Sequence, residues 1–289
     1  MIKKTADYVQ SGQQQVFDYS LQVTIPNEFE KVAKINIGYT AGIETTKVHH
    51  DWILKTNQNM DKVITTSNHS RDTLANTYYN AVDQNTGQEI KLQTNVPINT
   101  VNYCVKTYDN LPDLNLNLEF DNNLLCVAQA GPRKNLDNTI IWFVQEFKDE
   151  EVGLVIKANI AKNSLLDRMQ LQRGINNLLV GHNLTERKCK VYLLHGDLTD
   201  AEMHALYKHE KINGLVSLTC GEGFGLPIFE AAYSGLPVAA TGWSGHLDFL
   251  RDENGNDLFH NISYDMVNVP PEVVWDGVIN KDAKWFYVN

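Results

Sequence analysis

Thr219-Cys220-Gly221-Glu222-Gly223-Phe224-Gly225-Leu226-Pro227-Ile228-Phe229-Glu230-Ala231-Ala232, followed by Gly235-Leu236-Pro237-Val238-Ala239-Ala240, is the stretch from which the fold is read. The apolar run Leu215 to Leu218 before it is a buried strand, the glycines form a turn, Pro227 stands near the first position of a helix, and Val238 opens a second short strand. Proline suits a first helical turn because the N–H it lacks would have had no partner there. A glycine turn feeding a helix N-terminus offers an anion both unpaired N–H groups and the positive end of the helix dipole. Glu222 lies in the turn and Glu230 about one helical turn (~5.4 Å) inside the helix, so both are expected to face one pocket at the helix mouth. Carboxylates accept hydrogen bonds from vicinal hydroxyls, so an anion site flanked by two of them suits a diphosphate with hydroxyls on either side. That describes a nucleotide sugar.

The segment Glu-Gly-Phe-Gly-Leu-Pro-x-x-Glu-Ala-x-x-x-Gly-x-Pro-Val, with Glu222-x7-Glu230 inside it, resembles the donor-site signature of retaining GT-B glycosyltransferases, family 4 in particular. The resemblance implies an α/β chain of two Rossmann-like domains with parallel sheets. It also implies a metal-independent hexosyltransferase that takes a nucleoside diphosphate sugar as donor and needs no cofactor. Gly221, Gly223 and Gly225 do not complete the dinucleotide fingerprint G-x-G-x-x-G, because Leu226 holds its sixth place. A dehydrogenase is thereby disfavoured, and no pyridoxal phosphate lysine motif of a glycan phosphorylase is present.

A chain of 289 residues with 43% hydrophobic content has room for two domains with sizeable cores. Its net charge of −10 disfavours unspecific binding to nucleic acid or anionic membrane. Cys104, Cys126, Cys189 and Cys220 are scattered, without C-x-x-C spacing, and read as reduced, buried thiols of a cytoplasmic protein. No apolar run approaches ~20 residues, and Met1-Ile2-Lys3-Lys4 is not followed by a hydrophobic stretch, so neither a membrane span nor a signal peptide is expected.

Residues 1–108 read as a first, acceptor-side domain, with strands at Val16 to Ile25, Lys34 to Thr40 and Lys62 to Thr66, a helix from His50 to Asn59, and Ser67 capping a helix that begins near Arg71. The stretch Ile37-Gly38-Tyr39-Thr40-Ala41-Gly42-Ile43-Glu44-Thr45, with Trp52, Met60-Asp61-Lys62-Val63 and Ser67-Asn68, resembles the second half of the first GT-B domain. The family's opening strands have no counterpart before Tyr19, so this domain is expected to be incomplete. Asp109 to Asn122 has linker chemistry, and a nucleotide-sugar domain follows over 119–289. That domain reads as alternating strands and helices: Leu124 to Ala128, Leu136 to Phe147, Leu154 to Ala158, Leu165 to Leu179, Val191 to Leu194, then a helix opened by the capping box Thr199-Asp200-Ala201-Glu202. After Lys284 to Asn289 no helix returns to the first domain, so both ends read as cut.

The resemblance makes Arg133 and Lys134, in Gly131-Pro132-Arg133-Lys134-Asn135, the basic pair that meets the donor phosphates; a further arginine of the family aligns with Gln129. Glu222 becomes the catalytic carboxylate, expected to be removable with little effect on folding. Glu230 becomes the ribose ligand, and Gly223, Phe224, Gly225 and Leu226 the diphosphate cradle. Glu44 stands where many relatives place a histidine and is either a polar group facing the donor sugar or a surface carboxylate; His195, at a strand end, and His246, in a loop, are within reach of the pocket, with a structural or capping role as the default. No Asp-x-Asp occurs, and neither His49-His50 nor the pair His204, His209 has the spacing of a helical metal site, so no metal is expected. The partners are a nucleotide sugar and an unidentified hydroxyl acceptor: a glycan, lipid, protein or modified nucleobase. The rival reading is a truncated or degenerate nucleotide-sugar-binding module without turnover.

Overall fold

The computed structural model describes residues 17–82 and 87–288. Met1 to Val16, including the N-terminal part of the first expected strand, lie outside the described residues. Two parallel sheets dominate. The first, in the order β1-β2-β3-β6, uses β1 (Phe17–Val23), β2 (Ala33–Thr40), β3 (Lys62–Thr65) and β6 (Ile98–Thr100). Helices α1 (His50–Asn59) and α2 (Asn68–Asn76) make its crossovers. The Ser67 side chain accepts the Ser70 N–H, so α2 starts three residues earlier than Arg71. Phe29, Trp52, Ile53, Val63 and Leu74 fill one side of this sheet. On the other, Tyr19, Leu21 and Val23 stay exposed. An antiparallel hairpin, β4 (Tyr78–Val82) and β5 (Glu89–Gln93), precedes β6 and was not legible in the sequence.

The chain then runs without regular structure from 101 to 122 and enters the second sheet. Its strands are β7 (Asn123–Gln129), β8 (Gly153–Asn159), β9 (Lys190–Leu194), β10 (Ile212–Ser217), β11 (Val238–Thr241) and β12 (His260–Ile262), ordered β12-β11-β10-β7-β8-β9, all parallel. Helices α3 (Leu136–Glu146) and α4 (Leu165–Gly181) pack on one face around Ile140, Val144, Leu154 and Ile156. On the opposite face, around Leu125, Leu206, Leu215 and Ala231, lie α5 (Asp200–Tyr207), α6 (Leu226–Tyr233) and the short α7 (Leu247–Leu250). Both faces of a parallel sheet are thus covered, as βα crossovers require. The capping box forms in both directions, with Thr199 accepting the Glu202 N–H and Glu202 accepting the Thr199 N–H.

The strand order fixes where a ligand can bind. From β7 the chain winds outward through β8 and β9, then returns to the other side of β7 with β10. Adjacent strands whose connections leave in opposite directions open a crevice at their carboxyl ends. The loop after β7 carries Arg133 and Lys134, and the loop after β10 is Leu218 to Gly225.

The C-terminal stretch corrects one expectation. Among the described residues no α-helix follows β12, yet the chain does return to the first sheet, as the hairpin of β13 (Asp265–Asn268) with β14 (Lys284–Tyr287) and the loop between them. Trp52 Nε1 donates to Gly277 O at 2.8 Å, Thr46 N to Lys284 O at 2.9 Å, and Phe286 N to Cys220 O at 3.2 Å. One short segment therefore holds both sheets. Tryptophan and phenylalanine anchors replace the amphipathic period that would have made the return visible.

Candidate functional site

Four charged side chains meet at the switch point. Lys134 donates to Glu222 Oε1, and Arg133 lies 3.4 Å from the same oxygen through NH1 and 3.3 Å from Glu44 Oε1 through NH2. Arg133 NH1 also donates to Gly221 O at 2.6 Å, and Cys220 N donates to Arg133 O at 2.7 Å, which ties the two loops of the crevice together. Glu222 is only 10% exposed. Burial raises its carboxyl pKa, but the ammonium of Lys134 and the guanidinium of Arg133 outweigh burial and hold it below the ordinary range. Glu44 goes the other way: burial lifts its carboxyl in spite of Arg133.

The glycine turn leads into α6 through Gly225, whose φ of 92° lies in the left-handed region and needs a residue without Cβ. Pro227 sits in the first helical turn. Among the described residues, the N–H groups of Gly223, Phe224 and Gly225 donate to no protein acceptor. All five residues from Gly221 to Gly225 are buried, however, under the loop Ala41 to Glu44 of the first sheet. A Cβ on Gly223 would overlap the Ala41 carbonyl oxygen, and one on Gly221 would overlap the Glu44 carbonyl oxygen. The Ser67 and Ser70 hydroxyls donate to Gly223 O at 2.5 and 3.3 Å, so the capping end of α2 also seats on the turn. Open solvation of the turn, as its sequence implies, is replaced by domain contact.

Glu230 lies one turn into α6, half-buried, and its Oε2 accepts the Tyr207 hydroxyl at 3.0 Å. Burial raises its carboxyl pKa while that hydrogen bond lowers it. Glu230 lines a cavity with Phe229, Tyr233 and His204 that does not include Glu222. The two glutamates therefore occupy separate surroundings at the two ends of the turn, rather than one pocket. Leu226, at the first position of α6, is exposed beside that cavity.

Neither histidine singled out earlier faces an open site. His195 donates through Nε2 to Asp167 Oδ1 at 2.8 Å. Asp167 accepts the N–H groups of Ile160, Ala161 and Lys162, which hold its carboxyl far below the ordinary range, so His195 steadies the loop after β8. His246 is fully buried behind the turn; its Nε2 donates to Thr241 O at 2.6 Å. Its Nδ1 then accepts from Ser244 Oγ, which itself accepts the Glu222 N–H at 2.9 Å. Burial keeps His246 neutral by lowering its pKa. It supports Glu222 from behind. Cys126, Cys189 and Cys220 are buried and free as expected, but Cys104 is exposed. His49, caps α1 through Nδ1, which accepts the Asp51 N–H at 3.3 Å; His49, His50 and Asp51 bring ligand atoms within 4.8 Å of one another.

His69 was missed by the sequence reading. It lies in the first turn of α2, edge to face with Trp243 at 4.7 Å, with Nε2 buried and unpaired. Trp243 in turn covers Gly221. Burial is the main reason that its pKa falls to about 4. A histidine depressed in the folded state binds fewer protons than in the unfolded chain, so stability is present at neutral pH and is lost as pH falls below ~6.5. Between pH 7 and pH 5 the protein is expected to lose about 2 kcal/mol more than His69→Gln. Urea unfolding of both across that range measures the difference; parallel pH profiles would refute it.

No family model and no curated protein matches the sequence. Solved structures match the fold. The trehalose-6-phosphate protein of E. coli bound with UDP-2-fluoro glucose is 11% identical with a TM-score of 0.58, over 85% of this chain and 63% of that one. The fold is GT-B. Sucrose-phosphate synthase from Thermosynechococcus elongatus is 16% identical with a TM-score of 0.57, over 87% of this chain and 62% of that one. A glycosyltransferase from Rickettsia africae ESF-5 is 15% identical with a TM-score of 0.51, over 75% and 54%. The chain thus spans about three-fifths or less of the length of these GT-B structures. Among the described residues no helix is long and apolar enough to cross a membrane.

Proposed function

We propose that the chain carries the donor site of a retaining, family 4-like glycosyltransferase that moves a hexosyl unit from a nucleoside diphosphate sugar to a hydroxyl acceptor. The observation that carries this reading is the meeting of Arg133, Lys134 and Glu222 with the glycine turn at the switch point of the second sheet. One cluster supplies cations for a departing diphosphate, unpaired N–H groups of Gly223 to Gly225 at a helix end, and a carboxylate for the sugar hydroxyls. In the reaction the bond from the anomeric carbon to the diphosphate oxygen breaks, one to the acceptor oxygen forms, and the acceptor's hydroxyl proton passes to the departing diphosphate. Lys134 leaves Glu222 for the diphosphate, where its charge offsets the negative charge that builds on the leaving group. Glu222, released, accepts sugar hydroxyls. Lysine, arginine and the helix dipole do what a divalent cation does elsewhere, so the reading needs neither metal nor cofactor. GT-B structures bound with UDP-2-fluoro glucose or described as sucrose-phosphate synthase support a nucleotide-sugar donor. Reduced thiols fit a cytoplasmic location.

A second reading is a binding module without turnover: Ala41 to Glu44 cover the Glu222 end of the turn, where sugar and acceptor would have to meet, while the cavity at Glu230 is not lined by that loop. Calorimetric titration with UDP, GDP and ADP tests the donor site. One of them is expected to bind in the micromolar range, weakened about tenfold or more by Glu230→Ala (about 1.4 kcal/mol). Failure of all three to bind would sink both readings. Binding without release of sugar from the matching nucleotide sugar would leave the module.

A further inference from the structure

Part of the crossing between the two sheets lies where a binding cavity needs its outer wall. α6 presents Leu226, Phe229, Glu230 and Tyr233 along one side, the i, i+3, i+4, i+7 row of a helix. Opposite them runs the segment from Cys104 to Tyr108, and together they enclose a cavity of about 130 Å³. The cavity is on the scale of a single sugar ring.

The chemistry of the cavity is selective. Glu230 Oε2 is committed to Tyr207, while Oε1 accepts nothing among the described residues. A carboxylate on the wall repels phosphate and accepts hydroxyls. The N-terminus of α6 lies about 6 Å along the axis from Glu230, at ~1.5 Å per residue, so a phosphate at the helix end would place the adjoining sugar beside the carboxylate. The outer wall is pinned. Lys106 Nζ sits 2.9 Å from Asp200 Oδ2 and 5.2 Å over the Tyr108 ring, and that ring lies 5.0 Å from the ring of His204.

We propose that Cys104–Tyr108 forms the outer wall of a ribose pocket at Glu230, and that Tyr108 contacts the nucleoside there. This rests on the nucleotide-sugar reading above. The wall belongs to the connection between the sheets, so an occupied pocket ties the nucleoside to the segment that joins the two domains.

The test is calorimetry of the full chain with uridine, guanosine, adenosine and inorganic pyrophosphate, on the parent, Tyr108→Ala and Glu230→Gln, with thermal midpoints as a folding control. Tyr108→Ala is expected to weaken the nucleoside that binds the parent at least tenfold, and to leave pyrophosphate binding unchanged in a chain still folded at the assay temperature. Unchanged nucleoside binding in Tyr108→Ala, alongside loss in Glu230→Gln, would overturn the wall and keep the donor site. Equal loss of nucleoside and pyrophosphate in Tyr108→Ala would also overturn it, because the effect would then be structural. If Glu230→Gln binds like the parent, or the parent binds no nucleoside, the donor-site reading falls as well.

Discussion

Glu222→Ala is expected to abolish sugar transfer and to cost the fold about 3 kcal/mol. The two effects have one cause. Lys134 and Arg133 share Glu222 Oε1 in a crevice where the carboxylate is 10% exposed, so its removal leaves Lys134 without a counter-ion and Arg133 with Glu44 alone. A buried charge stripped of its partner costs several kcal/mol, far more than a solvated ion pair. The sequence alone implied that this carboxylate could go with little effect on folding; the ion pair corrects that. Diphosphate binding should respond differently, since the freed Lys134 no longer has to leave Glu222. The expected outcome is a lower unfolding midpoint, nucleoside diphosphate affinity equal to or tighter than the parent's, and transfer reduced by at least about a thousandfold (about 4 kcal/mol at 1.4 per tenfold). Turnover at the parental rate would remove Glu222 from the reaction. Weaker diphosphate binding would show that Lys134 is not released for the ligand.

Gly223→Ala should be the most damaging single-methyl change, at about 3 kcal/mol or more. The added Cβ would run into the Ala41 carbonyl, lying 2.9 Å from its carbon. This neighbour is backbone at the end of β2 and has no rotamer through which to yield. The strain can be relieved only by lifting the loop Ala41 to Glu44 from the turn, which also breaks the Ser67 and Ser70 hydrogen bonds to Gly223 O. Chemical denaturation is expected to show a lower midpoint, with the first sheet losing its seat before the second unfolds. Gly235→Ala supplies the contrast: its φ of 84° is strained for alanine, but a Cβ there meets nothing within 4 Å, so its cost should stay near 1 kcal/mol. Equal costs for the two would refute the close-approach argument.

Much of the second sheet was legible because each element is locally consistent. Thr199 and Glu202 announce their own helix start, Pro227 and Gly225 mark theirs, and the short apolar strands are bounded by turn residues. The first sheet was readable from β2 through α2, where Trp52, Ile53 and Val63 follow helical and strand periods in turn. The hairpin of β4 and β5 escaped because its strands are half-polar and alternate weakly. The closing hairpin escaped because its pairing is set by contacts distant in sequence, such as Trp52 with Gly277.

The candidate site divides along the same line. Arg133, Lys134, Glu222 and Glu230 could be named from residue type and spacing, because a glycine turn, a helix start and nearby cations have local signatures. Their grouping could not. Glu222 pairs with Lys134 across 88 residues and Glu230 with Tyr207 across 23, so the expected single pocket became two environments. For His195 and His246 a structural role was the default reading of the sequence, and the hydrogen bonds to Asp167 and Thr241 supply the partners that make both of them supports. By itself the sequence determined the elements and the chemistry carried by one turn, since both depend on neighbours along the chain. The strand order that opens a crevice between β7 and β10, the loop that covers the turn, and the crossing segment that walls Glu230 were decided only by tertiary structure, because each depends on packing between residues far apart in sequence.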